Sequence, residues 1–120
     1  MPPPNTREQD GVLILKLDDL ATVNDGQAIA PRQAIYQVAT EGDPPRVAID
    51  LTDIDFLSSS GVAMLIGLKR RVEAKAGRLV LFGLHPYVMD LFHVMKLAEL
   101  FQIAPGEADA IALLSSSPVL

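Results

Sequence analysis

Residues 46–82, RVAIDLTDIDFLSSSGVAMLIGLKRRVEAKAGRLVLF, contain the pattern of a strand, a turn, a helix and a second strand in succession. Arg46–Leu51 alternates larger apolar side chains with alanine and aspartate, which predicts a β-strand. Apolar side chains recur at helical spacing over about Ser60–Ala76, and Gly77 predicts the end of this helix. Arg78–Phe82 predicts a fully buried strand, and strands that alternate with helices are typical of a parallel α/β sheet.

The sequence before this stretch predicts two strands and a helix. Gly11–Leu17 is a nearly continuous apolar run of strand length, and a weak strand is expected around Leu20–Val23. Gln27–Ala39 has helical periodicity, and its ordered part should begin close to Pro31, because proline is tolerated only in the first turn. Residues 1–9 are rich in proline and polar side chains, which predicts a disordered lead-in.

The sequence after residue 82 continues the alternation. Pro86 is the predicted start of a helix. Leu100–Ile103 predicts a short last strand, and a final helix is predicted over about Glu107–Leu114. We expect residues 115–120 to form a tail. The prediction is therefore one α/β domain over residues 10–114, with a mostly parallel sheet of four to five strands covered by about four helices.

Composition narrows the class of protein further. A chain of 120 residues is long enough for one domain with one core, and its formal net charge of −5 disfavours nucleic acids and anionic membranes as partners. The absence of cysteine excludes disulfides and thiolate metal sites, and no residue pattern indicates a metal or a cofactor. Neither a signal peptide nor an apolar stretch of membrane-spanning length is evident, so a cytoplasmic location is expected.

Ser58–Ser60 stand where a strand gives way to a helix, a position at which α/β folds build sites. Serine is a preferred N-cap, but no Glu or Gln follows three residues after any of the three, so the capping signal is incomplete. A phosphorylated serine also suits this position, because exposed N–H groups and the helix dipole favour a phosphate. The chemistry of the residues permits both interpretations and does not choose between them.

A serine nucleophile is a third interpretation, and the sequence disfavours it. The G-x-S-x-G turn of hydrolases would require a glycine where Leu57 stands, two residues before Ser59. His85 and His93 are the histidines that could serve as its base, and we expect both to be structural or solvated. The sequence therefore disfavours a serine hydrolase.

Two segments resemble the STAS domain family, the module shared by sulfate transporters and anti-sigma factor antagonists. VAIDLTDIDFLSSSGVAMLIGLKRRVEAKAGRLVLFGL, residues 47–84, resembles the central segment of the family, in which Ser-Ser/Thr-Gly opens an apolar helix. VMDLFHVMKLAELFQIAPGEADAIALL, residues 88–114, is similar to the C-terminal third. The resemblance covers roughly residues 11–114 and implies a STAS fold.

The resemblance also implies an anti-sigma factor antagonist that is switched by phosphorylation. The phosphoacceptor of the family's bacterial antagonists is the first serine of the motif, which corresponds to Ser59 here, followed by Ser60 and Gly61. The implied partners are an anti-sigma factor that is also a serine kinase and a serine phosphatase that resets the switch. In the cycle that the resemblance implies, unphosphorylated antagonist binds the anti-sigma factor and frees the sigma factor, which regulates transcription, and the antagonist itself has no catalytic residue and catalyses no reaction.

The sequence departs from the family pattern at several positions. Ser58 stands where the family usually has Asp, and the acidic residue that usually follows the second strand aligns with Thr22, or with Asn24 or Asp25 if a gap is allowed. Lys96 stands where the family commonly has a small residue, just before the Leu-x-x-Leu-Phe stretch. These differences leave open an alternative function, in which the chain is a STAS protein that no longer uses phosphorylation. Examples are a stressosome-type scaffold and a subunit of a lipid-transport complex.

The expected partner-binding surface is the serine turn and the exposed side of the helix that follows it. Met64 lies at the edge of the apolar stripe, so the sequence leaves open whether it contacts the core or a partner, and Phe56 is equally ambiguous. The second serine triplet, residues 115–117, follows the last helix and is expected to have no role. The residues assigned to the surface are Phe56, Leu57, Ser58, Ser59, Ser60, Gly61 and Met64.

Overall fold

The computed structural model describes residues 5–17, 23–24 and 29–115. Its strands form one five-stranded sheet, and its longer helices number four in the part of the chain described. The elements are β1 (Thr6–Gln9), β2 (Val12–Lys16), α1 (Ile29–Ala39), β3 (Arg46–Asp50), α2 (Ser59–Ala74), β4 (Arg78–Phe82), α3 (Pro86–Val94), a 3₁₀ turn (Leu97–Glu99), β5 (Gln102–Ala104) and α4 (Glu107–Ser115).

The strands lie in the order β1-β2-β3-β4-β5, so each strand pairs with its neighbour in the sequence. β1 is antiparallel to β2, and the remaining pairs are parallel. The predicted α/β class with a mostly parallel sheet is therefore confirmed. Within residues 5–17, 23–24 and 29–115, no helix is long and apolar enough to cross a membrane.

The helices cover the two faces of the sheet unequally. Crossovers between parallel strands are almost always right-handed, and strands added in one direction therefore place α1, α2 and α3 on the same face. α4 follows the last strand and, among the described helices, is the one that packs against the other face. The first face buries Leu15, Val47, Ile49, Leu79 and Leu81, and the second buries Val12, Ile14, Ala48, Val80 and Phe82.

The predicted disordered lead-in over residues 1–9 is wrong for Thr6–Gln9, which form β1, so the ordered domain begins before residue 10. Asp10 and Gly11 have φ angles of 55° and 77°, as a two-residue hairpin turn requires, and Gln9 pairs directly with Val12. β1 is an edge strand with mostly exposed side chains. Its backbone pairing stabilises it without an apolar face, and hydrophobic periodicity therefore gave no signal for it.

The end of α2 also differs from the prediction, because Ala76 and not Gly77 has the left-handed conformation, with φ 58°. The N–H of Ala76 donates to the carbonyl of Glu73, and that of Gly77 donates to the carbonyl of Val72 at 2.9 Å. Glycine is needed at position 77 for another reason. A Cβ there would lie 2.4 Å from the carbonyl oxygen of Pro45, next to the start of β3.

Two smaller differences concern the weakest predicted strands. The last strand is Gln102–Ala104 and not Leu100–Ile103, because the 3₁₀ turn carries the chain to residue 99 and Phe101 is buried against Phe92, with ring centroids 5.7 Å apart. The weak strand predicted over Leu20–Val23 lies outside the described residues except at Val23, which is buried and has helical backbone. Of the predicted tail, Ser115 is the last residue of α4, and residues 116–120 are outside the described part.

Substitutions at Ala76 and Gly77, at the end of α2, test this geometry. We expect Ala76→Gly to raise the free energy of unfolding by about 0.5–1 kcal/mol, because glycine adopts a positive φ without the strain that a Cβ causes. Gly77→Ala should lower it by about 1–3 kcal/mol through the clash with Pro45. Urea unfolding followed by circular dichroism measures both changes.

Ala63→Gly is the matched control, since Ala63 is an exposed residue inside α2. Glycine at an ordinary helical position should lower the free energy of unfolding by about 0.5–1 kcal/mol. If Ala76→Gly destabilised the protein as Ala63→Gly does, the proposed helix end would be incorrect.

Candidate functional site

The loop that joins β3 to α2 lies at the carboxyl edge of the parallel strands, where α/β folds place their sites. Every third residue anchors it: Leu51, Ile54 and Leu57 are buried. The intervening side chains point outward, and Phe56 remains 49% exposed. Leu57 is therefore an anchor of the loop, and its predicted place on the partner-binding surface is corrected. Because two of every three side chains in this loop are exposed, Phe56 is the large apolar side chain that the loop presents to solvent.

Ser58 is the N-cap of α2. Its extended backbone, with φ −80° and ψ 172°, precedes the first helical residue, and its Oγ accepts a hydrogen bond from the N–H of Gly61 at 3.1 Å. The same hydroxyl donates to the backbone oxygen of Asn24 at 2.9 Å. Both its proton and an acceptor lone pair are thus engaged. Serine supplies the cap without a capping box, so the capping interpretation holds for Ser58.

Ser59 is the first residue of α2, and its side chain is exposed. Its hydroxyl has no hydrogen-bond partner among the described residues, in contrast to that of Ser58. The N–H groups of the first helical turn have no partner within the helix, and the positive end of the helix dipole lies beside them. This arrangement presents a free hydroxyl in a setting that favours an added negative charge.

Ser60 and Gly61 complete the first turn with different degrees of burial. Ser60 is half-buried, and its backbone oxygen accepts a hydrogen bond from the guanidinium of Arg32 at 3.3 Å. Gly61 is buried, so its predicted place on the surface reduces to a structural role. We name residues 56–61 the Ser59 turn, because Ser59 is its most accessible hydroxyl.

Met64 is fully buried, so its side chain contacts the core, which is one of the two positions that the sequence left open. The apolar stripe of α2 faces α1 and the sheet, and Met64 belongs to that core. Ala63, which the sequence did not single out, is exposed and lies one turn beyond Ser59 on the helix surface. A one-residue shift rotates a helical side chain by about 100°, so periodicity over so few residues could not separate the two.

Asn24 is a residue of the site that sequence reasoning did not predict as a contact. Its Oδ1 accepts from the N–H of Ser58 at 2.7 Å, and its Nδ2 donates to the backbone oxygen of Phe56 at 3.0 Å. The sequence indicated Asn24 only as a possible counterpart of an acidic residue of the family. Its contacts lie 34 and 32 positions along the chain, beyond the reach of local patterns.

Carboxylates dominate the charge of the loop before the Ser59 turn. Asp53 and Asp55 are exposed, and Lys16 at the end of β2 forms an ion pair with Asp53 at 3.2 Å. Both histidines, His85 and His93, are exposed on α3 or immediately before it. No group of His, Asp and Glu side chains in the described ranges could hold a metal ion. The site consists of hydroxyls, amides and carboxylates.

Comparison with known proteins places this arrangement in a family, because the STAS domain model matches residues 3–110. The chain belongs to the STAS domain family. This confirms the resemblance of its two segments. The matched range includes β1, which the sequence had assigned to the lead-in, and the whole Ser59 turn.

Individual relatives extend the comparison. The chain is 29% identical over 110 residues to BtrV of Bordetella bronchiseptica, which is named as an anti-sigma factor antagonist, and the match covers 91% of this chain and 92% of BtrV. It is 32% identical over 75 residues to the anti-sigma-B factor antagonist of Listeria monocytogenes, covering 62% and 63% of the two chains. A STAS domain protein from Planctomyces limnophilus has the same fold, with a TM-score of 0.81 at 16% identity over 96% of this chain and 100% of that one.

The difference between Ser58 and Ser59 leads to a prediction about stability. Ser58→Ala should lower the free energy of unfolding by about 1–2 kcal/mol, because it removes the cap of α2 and leaves the N–H of Gly61 without its partner. Ser59→Ala should change it by less than about 0.5 kcal/mol, since the exposed hydroxyl has no hydrogen-bond partner in the described part of the chain. Chemical unfolding of the two variants beside the wild type measures the difference. Equal losses would contradict the distinct roles of the two serines.

Proposed function

We propose that the protein is an anti-sigma factor antagonist that is switched off by phosphorylation of Ser59. The observation that carries the proposal is the different state of two adjacent hydroxyls. That of Ser58 is engaged as donor and acceptor, whereas that of Ser59 is exposed at the start of a 16-residue helix. The names of BtrV and of the Listeria relative as antagonists support the same role for this chain.

The partner in this proposal is an anti-sigma factor that also acts as a serine kinase. The kinase transfers the γ-phosphoryl group of ATP to Oγ of Ser59, so that an O–P bond forms, ADP leaves and the hydroxyl loses its proton. A phosphoserine carries about −1.5 to −2 charges at neutral pH. A serine phosphatase hydrolyses the phosphate ester and restores the hydroxyl, so the protein returns to the binding form.

The switch acts through the docking surface and needs no change of fold. Orphan N–H groups at the start of α2 can solvate a phosphate on Ser59, and the helix dipole favours its charge. The phosphate would add to the negative charge of the nearby exposed carboxylates of Asp53 and Asp55. A partner that docks on an uncharged Ser59 turn would then have to desolvate a dianion, which opposes binding.

The replacement of the usual family Asp by Ser58 is compatible with this switch. Ser58 supplies the N-cap that an aspartate would supply, through its hydrogen bond with the N–H of Gly61. Serine differs in carrying no charge, and the unphosphorylated turn is consequently less acidic beside Ser59. The contrast in charge between the two states of the turn is preserved.

The proposed docking surface is smaller than the set predicted from the sequence. It retains Phe56 as an exposed apolar contact, with Ser59 and the accessible part of Ser60 beside it, and it gains Ala63 on the outer side of α2. Leu57, Gly61 and Met64 support this surface from below. Phe56 is the side chain with the largest apolar area to bury against a partner.

Substitutions at Ser59 test the proposal directly. Ser59→Asp should weaken binding to the cognate anti-sigma factor by about tenfold or more, because it places a fixed charge in the docking surface. Ser59→Ala should bind within about threefold of the wild type and should accept no phosphate. Calorimetric titration against each anti-sigma factor of the host cell, followed by mass spectrometry after incubation with ATP, gives both readouts.

Ser115→Asp is the matched control, because it adds the same charge at the end of α4, on the opposite face of the sheet. It should bind as the wild type does. If Ser59→Asp bound as tightly as Ser115→Asp, the switch would be wrong. Stable association with scaffold or transporter subunits, without phosphate on Ser59, would instead favour the non-switching STAS subunit.

A further inference from the structure

We propose that Asn24 is a positioning residue that selects Ser59, and not Ser58, as the phosphoacceptor. This inference rests on the proposed function and concerns the residue that organises the same site. Asn24 lies outside the serine motif, on the segment that leads into α1. Its backbone and side chain contact the Ser59 turn at three points.

The side chain of Asn24 acts as a template for the turn. Its Oδ1 accepts from the N–H of Ser58, while its Nδ2 donates to the oxygen of Phe56, so one amide spans the backbone on both sides of Leu57. An amide is suited to this task, because it carries an acceptor and a donor side by side. The two bonds fix the backbone of the turn from one direction while the buried side chain of Leu57 fixes it from another.

The same placement explains why position 61 is glycine. A Cβ on Gly61 would lie 2.4 Å from Oδ1 of Asn24 and 2.9 Å from Cδ2 of Leu57. Gly61 lies in the helix and does not have a positive φ. Glycine is therefore required at this position by the lack of space for a Cβ, and not by its conformational freedom. Asn24 and Gly61 therefore form a fitted pair, in which the absence of one side chain makes room for the other.

The template determines which hydroxyl a kinase encounters. With the N–H of Ser58 held by Asn24, the Ser58 hydroxyl is directed to the backbone oxygen of Asn24 and to the N–H of Gly61, and is unavailable for transfer. The next residue enters the helix with its hydroxyl exposed. Without the side chain of Asn24, the turn loses the hydrogen bonds at the N–H of Ser58 and at the backbone oxygen of Phe56. The backbone of Ser58 is then less fixed, and Ser58 gains access to conformations in which its hydroxyl leaves the backbone oxygen of Asn24.

Hydrogen exchange tests the template without any partner. In the full-length Asn24→Ala variant, the amide of Ser58 should exchange roughly tenfold faster than in the wild type, the change expected when a hydrogen bond of this kind is lost. Asn24→Asp keeps an acceptor for that amide and should restore most of the protection. Gln37→Ala removes an exposed amide from α1 and should leave the exchange unchanged.

Mapping of phosphate provides the readout that a merely structural residue would not change. The wild type, Gln37→Ala and Asn24→Ala are expressed in the native cell, and peptide mass spectrometry locates the phosphate. The first two should carry it on Ser59 alone. Asn24→Ala should carry a measurable share on Ser58, with less phosphate in total.

A double-mutant comparison of Asn24→Ala with Gly61→Ala completes the test. The loss in unfolding midpoint caused by Gly61→Ala should be smaller when Asn24 is already alanine, since the closest clash has been removed. If Gly61→Ala fails to fold, the exchange and phosphate measurements on Asn24→Ala still decide. Unchanged exchange of Ser58, or phosphate confined to Ser59 in Asn24→Ala, would overturn the proposal.

The outcomes separate this inference from the proposed switch. If the wild type carries no phosphate on any serine, both the switch and the selection of an acceptor are contradicted. Faster exchange of the Ser58 amide in Asn24→Ala would still show that Asn24 holds the turn. A wild type with phosphate on Ser59, combined with an Asn24→Ala variant that behaves identically, would leave the switch in place and reject the role of Asn24.

Discussion

The hydrogen bonds between Ser58 and Asn24 join the beginning of α2 to the segment that leads into α1. Both helices pack on the same face of the sheet, and this junction sets where α2 begins relative to the strands below it. The first turn of a helix leaves N–H groups without intrahelical partners, and a turn at the surface must satisfy them or expose them. Here the hydroxyl of Ser58 satisfies the N–H of Gly61, while Ser59 beside it is exposed.

Much of the fold could be predicted from the sequence, because its central strands are buried on both faces. Arg78–Phe82 is an apolar run for that reason, Arg46–Asp50 was predicted from its alternation, and α2 and α3 carry a clear apolar stripe. β1 was missed because its polar side chains contribute little to the core and its backbone pairing has no signature in hydrophobicity. The Asp10-Gly11 pair was the available signal, since its two positive φ angles are typical of a tight hairpin.

The site was predictable in position and not in detail. The serine turn stands at the end of a buried strand, as the sequence indicated, whereas the choice of Ser59 as phosphoacceptor rests on resemblance and stays a prediction. The roles of Leu57 and Met64 depend on whether each side chain points to the core or to solvent. Adjacent residues of a loop or a helix point in different directions, so an error of one residue in the predicted pattern reverses the assignment. Asn24 acts through tertiary contacts with residues more than 30 positions away, which no local pattern records.

The antiparallel strand β1 has a consequence for how the protein behaves at high concentration. A sheet edge with unpaired backbone groups can pair with another chain and begin aggregation, unless charges or short length make it unsuitable. β1 is only four residues long and places Arg7 and Glu8 at this edge. Arg7 also forms an ion pair with Glu107 of α4, which ties the hairpin to the helix that covers the second face. The strand that contributes least to the core thus protects the apolar β2 from intermolecular pairing.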